Sequence, residues 1–237
     1  MTDPFVHLHV ASGYSMRFGA NHPADLVARA AEHGMRALAL TDRDGLYGAV
    51  KFALACRTAG VRPIFGVDLA VAPALDTALA PALAPAIGGV HRAAGGRRVP
   101  ARGGASVDPR LPRVTFLARD GGGWRSLCRL TSATHLRGTR GEPVSSLPMA
   151  AEHATGLIAL LGPDSPVGRA LVAGHTDLAA AHLASWRAAF GPGRLVLEVV
   201  HHRGRGDRSR AQAMLRFAAE MDVPVVLIGR ASCRERV

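Results

Sequence analysis

Histidines and carboxylates recur in this chain where short β-rich segments end. His7 and His9 alternate along the segment 5–10 and so fall on one face of a strand. Asp42 and Asp44 follow a second apolar segment, Asp68 sits in a third, and Glu198, His201 and His202 cluster at the end of a later one. Imidazole and carboxylate ligands arriving from several strand ends are how a barrel assembles a metal centre that activates water. Taken singly, each residue has an ordinary role as a hydrogen-bonded core histidine or a turn aspartate. The distribution over several strand ends carries the signal.

The elements that must position these residues alternate along the chain. Segment 5–10 reads as a strand bounded by Ser12-Gly13. A helix starts at Asn21-His22-Pro23, with Pro in its first turn and Asp25 near the positive end of its dipole, and Gly34 closes it. A buried strand over 37–41 leads into the loop 42–45, a helix over 46–59 ends at Gly60, and a third strand covers 62–72. This spacing predicts parallel pairing through right-handed crossovers. Order resumes with a strand over 114–118 and a helix over 124–134. A polar loop follows, then a strand over 156–161, helices over 167–172 and 176–190, and a strand over 195–200. A helix over 209–221 and a strand over 223–227 complete the pattern. The alternation predicts an α/β barrel, whose functional residues lie on loops at the strand C-terminal ends.

Two regions break the pattern. Residues 73–112 pass from Ala-Pro repeats to Gly- and Arg-rich runs with almost nothing to bury, which predicts a flexible insertion. The last ten residues, 228–237, abandon the alternation at a strand exit. Their reverse translation resembles a sequencing adapter, so they are expected to be a non-biological tail marking a cut gene, and residues 1–227 a single domain.

Of the 29 basic residues only Lys51 is lysine, a bias that a GC-rich genome produces without selection for charge. Of the formal net charge of +11, the stretch 73–113 and the last ten residues supply about half, and for the insertion a solvated tether is preferred to a DNA-binding surface. Cys56, Cys128 and Cys233 form no CxxC pair, which fits a reducing compartment and argues against a disulfide framework. No secretory signal and no apolar run of about 18 residues is present, so a cytoplasmic protein without membrane contact is expected.

Several segments together resemble a known family. Residues 5–12, 40–48, 63–68, 117–131 and 195–202 are similar, in order, to the PHP (polymerase and histidinol phosphatase) domain that opens the catalytic subunit of bacterial C-family DNA polymerases. These are the DNA polymerase III alpha-subunit type. The run from Ser15 to Leu69 resembles their error-prone branch. The resemblance implies a distorted (β/α)7 barrel cut before its last strands. It also implies a parent enzyme that synthesises DNA from deoxynucleoside triphosphates with Mg2+, on a polymerase body lying beyond this chain. DNA and that body would be its partners.

The resemblance also shows where the chain departs from the family. Active members open with Leu-His-x-His-Ser; here His9 keeps the first histidine and Ala11 replaces the second. Their Thr-Asp-His-Asp becomes Thr41-Asp42-Arg43-Asp44, which puts a guanidinium where an imidazole ligand is expected. Asp68 stands for a glutamate, and His201 or His202 meets the later histidine motif. The implied site is therefore degenerate, with remnants His9, Asp42, Asp68, His201 and His202 and lost positions Ala11 and Arg43. Arg43 is expected to pair with Asp42, Asp44 or Asp68 in place of metal. This region is then a scaffold with no cofactor and no catalytic residue of its own, although a lone Zn2+ or Mn2+ on His9, Asp68 and His201 stays open. A metal-dependent phosphoesterase of the same superfamily is the alternative, and a binding module acting through the Arg-rich insertion is a third.

Overall fold

The computed structural model describes residues 5–72, 111–138, 141–201 and 206–228. The strands are β1 (Ala37–Arg43), β2 (Arg62–Val71), β3 (Arg113–Ala118), β4 (Val144–Ser145), β5 (Leu157–Leu161), β6 (Leu195–Val200) and β7 (Val225–Ile228). They form one seven-stranded sheet in the order β1-β2-β3-β5-β6-β7, with β4 paired to β2. The helices are α1 (Pro23–Glu32), α2 (Ala49–Ala59), α3 (Gly121–Arg137), α4 (Leu147–Glu152), α5 (Pro166–Val172), α6 (Thr176–Phe190) and α7 (Asp207–Glu220). Residues from six strands line one cavity, so the sheet curls into a distorted barrel with helices outside.

The predicted parallel pairing holds between β1 and β2, and again from β5 through β6 to β7. In the middle it does not. β3 runs antiparallel to both β2 and β5, because the chain leaves β2 and re-enters β3 at the same end of the sheet. Val71 N–H donates to Pro112 O at 2.8 Å there. The expected insertion lies outside the described residues apart from Leu111 and Pro112, as do Cys233 and the expected tail beyond Ile228. Ile228 itself closes β7 opposite Val200.

Segment 5–10 is less regular than a strand. It makes one parallel bridge, His7 to Leu38, and beyond it Thr41 intervenes: its Oγ1 accepts from Val10 N–H at 2.9 Å and donates to Val10 O at 3.1 Å. A side chain has replaced part of the ladder, so strict alternation is lost.

Helix starts follow their capping residues. Asp120 accepts from Gly123 N–H at 2.8 Å, so α3 begins at Gly121, three residues before the apolar pattern shows. Gly123 is required there: a Cβ on it would lie 2.2 Å from Gly156 O. Ser146 caps α4 through Met149 N–H, giving a short helix and the two-residue β4 inside the predicted polar loop.

Alternation along the strands sorts side chains onto two faces. The outer residues Val67, Leu69, Val71, Phe116, Leu197 and Val199 pack under the helices in the main core. Phe116, Trp186 and Phe190 meet there with ring centroids 5.6 to 6.1 Å apart. A second core joins α1 and α2 to β1 through Leu26, Val27, Leu38, Leu40 and Phe52. The inner face is apolar only at its floor, where Ala39, Leu117 and Leu160 meet. Above that floor it turns polar.

Trp186 is fully buried, and its indole N–H has no hydrogen-bond partner among the described residues. Trp186→Ala should therefore cost about 3–5 kcal/mol in denaturant unfolding. Trp186→Phe, which loses no hydrogen bond and leaves a smaller cavity, should cost less than Trp186→Ala.

Candidate functional site

The inner-face cavity has a volume of about 440 Å³, and strand register decides what enters it. Arg43 and Asp68 are direct partners across β1 and β2, and Asp68 and Thr115 are partners across β2 and β3. Arg113, two residues before Thr115, shares its face. Glu198 enters from β6 and His9 from the N-terminal segment. Ala11, Phe18, Asp164, Asp207 and Arg210 complete the part of the lining that concerns charge or the expected ligands.

Asp68 is the centre of this arrangement. It is buried, and its Oδ2 accepts from Arg113 Nε at 2.8 Å and from Arg43 Nε at 3.2 Å. One terminal nitrogen of Arg113 also donates to Asp68 O at 2.7 Å and to Asp44 Oδ1 at 2.9 Å. Burial alone would raise the Asp68 pKa, but Arg113, His9 and Arg43 outweigh it and hold the carboxyl below its ordinary range. The same pairing raises Arg113 further, against its own burial. Arg43 lies over the Phe18 ring at 3.5 Å from the centroid, so an aromatic face holds the guanidinium from the open side.

His9 enters the cavity from the segment beside β1, between Thr115 and Glu198. Its Nδ1 donates to Glu198 Oε1 at 2.7 Å, and Thr115 Oγ1 lies 3.4 Å from its Nε2. Burial lowers the His9 pKa, but the Glu198 charge and hydrogen bond, helped by Asp68 and opposed by Arg43, raise it to about 9. The imidazole is therefore a cation at neutral pH in the metal-free chain, paired with a carboxylate through Nδ1, and a metal at Nε2 would have to displace its proton. Gly162 makes room for this pair: a Cβ there would lie 2.6 Å from Glu198 Oε2.

The other expected site residues lie elsewhere. Asp42 is buried but does not line the cavity; it accepts from Ser12 N–H at 2.7 Å, Ser12 Oγ at 2.8 Å and Ser15 Oγ at 2.6 Å. It follows Thr41 in strand parity, so it faces away and anchors the 12–15 loop. Of the three carboxylates offered to Arg43, Asp68 is its partner, and Asp44 is taken by Arg113. His7 does not share a site with His9. It follows Leu38 onto the outer side, edge-on to Phe5, and burial lowers its pKa. His201 lies just past β6, outside the cavity lining, where its N–H meets Ile228 O at 3.2 Å. His202 lies outside the described residues. Arg113 is the participant that sequence reading missed. Its signal was the alternation Arg113, Thr115, Leu117 on an inward face, hidden by the Arg-rich stretch before it.

A multi-metal centre does not fit these residues. The central carboxylate is held between two guanidinium groups, and Ala11 and Arg43 line the cavity where the expected imidazole ligands would stand. Among the described residues no group of three or more His, Cys, Asp or Glu is arranged to hold a metal ion.

A curled α/β sheet with its polar site at the strand C-terminal ends defines a barrel of the kind that carries hydrolytic metal sites in other proteins. The chain belongs to the PHP domain family, whose model matches residues 7–202. It is 35% identical over 226 residues to an error-prone DNA polymerase of Mycolicibacterium paratuberculosis, covering 94% of this chain and 18% of that protein. A DNA polymerase III subunit alpha of Saccharopolyspora erythraea is 30% identical over 225 residues, with the same coverage of 94% and 18%. The chain thus spans less than a fifth of the length of these relatives. Among solved structures, a Bifidobacterium adolescentis protein described as a metal-dependent phosphoesterase superposes with a TM-score of 0.52 at 14% identity, covering 98% of this chain and 89% of that one. That likeness is one of fold.

The His9–Glu198 pair gives a pH dependence of known sign. The folded pKa of about 9 lies above the ordinary 6.5, so the pair's contribution to stability is complete below pH 6.5 and is lost as pH rises through about 9. An NMR titration should place the His9 ring near 9 in the native chain. Gly162→Ala, which pushes the Glu198 carboxylate aside, should move it back toward 6.5.

Proposed function

We propose that this chain is the PHP domain of an error-prone polymerase of the bacterial C family, serving there as a structural domain rather than as a phosphoesterase. DNA synthesis, with its Mg2+, deoxynucleoside triphosphates and DNA, belongs on this reading to a polymerase body outside the described residues. The observation that carries it is the likeness to error-prone polymerases over 94% of the chain, joined to a site whose central carboxylate is neutralised by arginine. No helix among the described residues is long and apolar enough to cross a membrane, in keeping with a domain of a DNA-bound enzyme. The expected division into a PHP domain, an insertion and a foreign tail belongs to the same proposal.

The phosphoesterase alternative needs a metal-activated water. Its requirement for an accessible carboxylate conflicts with the two guanidinium groups on Asp68.

Two measurements test the proposal. Nucleotide sequence from an independent copy of the locus should continue in frame past codon 227 for most of the remaining length of the polymerase relatives; a stop codon there would remove the polymerase reading. The purified chain should show no rise in melting temperature with Mn2+ or Zn2+ and no Mn2+-dependent hydrolysis of a phosphate monoester. Phosphatase activity that disappears in His9→Ala would establish the alternative.

A further inference from the structure

We propose that Arg113, more than Arg43, is the residue that makes this cavity independent of metal. The inference rests on the degenerate-site reading above and gives it a specific determinant.

Geometry separates the two arginines. Arg113 enters from the first position of β3 and is buried, with its side chain 5% exposed, against 16% for Arg43. It makes the shorter contact to the Asp68 carboxylate and also holds the Asp68 carbonyl and the Asp44 carboxylate. Arg43 reaches the same oxygen at the longer distance of 3.2 Å and lies over the Phe18 ring. One guanidinium therefore bridges two carboxylates, one on β2 and one in the loop after β1, the bridging task that a bound cation performs in a carboxylate site. A guanidinium cannot be deprotonated at any physiological pH, so a metal ion would have to displace a permanent charge.

The loop after β1 depends on the same residue. Asp44 adopts a left-handed φ of 56°, a conformation uncommon outside glycine. Its N–H donates to Asp68 O at 2.9 Å, and its carbonyl accepts from His135 Nε2 at 2.5 Å. Arg113 on the Asp44 side chain completes a clasp that ties the β1 loop to β2 and β3. Restoring histidine at position 43 alone would thus return a ligand type to a site whose carboxylates remain occupied.

The test compares Arg43→His with the double variant Arg43→His/Arg113→Met. The probes are MnCl2 and ZnCl2, read by metal content after dialysis and by melting temperature. Arg43→His should retain no divalent metal. The double variant should retain metal and melt higher as Mn2+ is added. Retention by Arg43→His equal to that of the double variant would overturn the inference, as would a folded double variant that holds none. Metal held by the unsubstituted chain would instead overturn the degenerate-site reading on which the inference rests. A thermal double-mutant cycle covers the case in which the double variant does not fold. Asp68→Asn and Arg113→Met should each lower the melting temperature by on the order of 10 °C, and together by clearly less than the sum of the two. Additive losses would show that Arg113 does not act through Asp68.

Discussion

A carboxylate buried inside a barrel must be neutralised, and the inner face of this domain is organised around that constraint. Ionised Asp68 without partners would cost several kcal/mol. Parallel register places Arg43 beside it, and antiparallel register places Thr115 beside it with Arg113 on the same face. Direction matters here. Because β3 runs against β2, its first residue reaches the polar end of the cavity, where the C-terminal ends of β1 and β2 also open. In the same cavity, His9 and Glu198 form a second charged pair that joins the N-terminal segment to β6. Two ionic groupings, one around Asp68 and one of His9 with Glu198, thus link elements far apart in sequence.

Much of this was legible in the sequence. Periodicity located the main strands and helices, because an apolar strand under two amphipathic helices leaves an unmistakable pattern. The departures from the family at Ala11 and Arg43 were visible at once. What the sequence did not disclose was parity and direction. Asp42 and Arg43 are adjacent, yet one anchors a loop through Ser12 and Ser15 while the other faces the cavity. His7 and His9 looked equivalent, but Thr41 interrupts the ladder between their segment and β1. Arg113 was absorbed into an Arg-rich stretch whose charge had a compositional explanation. Only the antiparallel pairing of β3 distinguishes it from its neighbours.

The fold is shared with proteins of different chemistry, as barrels commonly are, and the chemistry lies in a few positions. In this chain guanidinium groups stand beside the carboxylate that a hydrolytic centre would use, and the nearest imidazole carries a proton. On the proposed reading, a domain inside a large polymerase kept its barrel for packing and exchanged a metal's charge for that of its own side chains. Such an exchange preserves internal neutrality while removing the Lewis acid, so stability and activity can part company at one site.

The central claim is that side chains, not a metal ion, neutralise Asp68. Anomalous diffraction from a crystal of this chain grown with excess Mn2+ tests it most directly. The account predicts no anomalous density in the cavity, with Arg113 Nε still on the Asp68 carboxylate. A manganese peak joining His9 and Asp68, with Arg113 turned away, would contradict it.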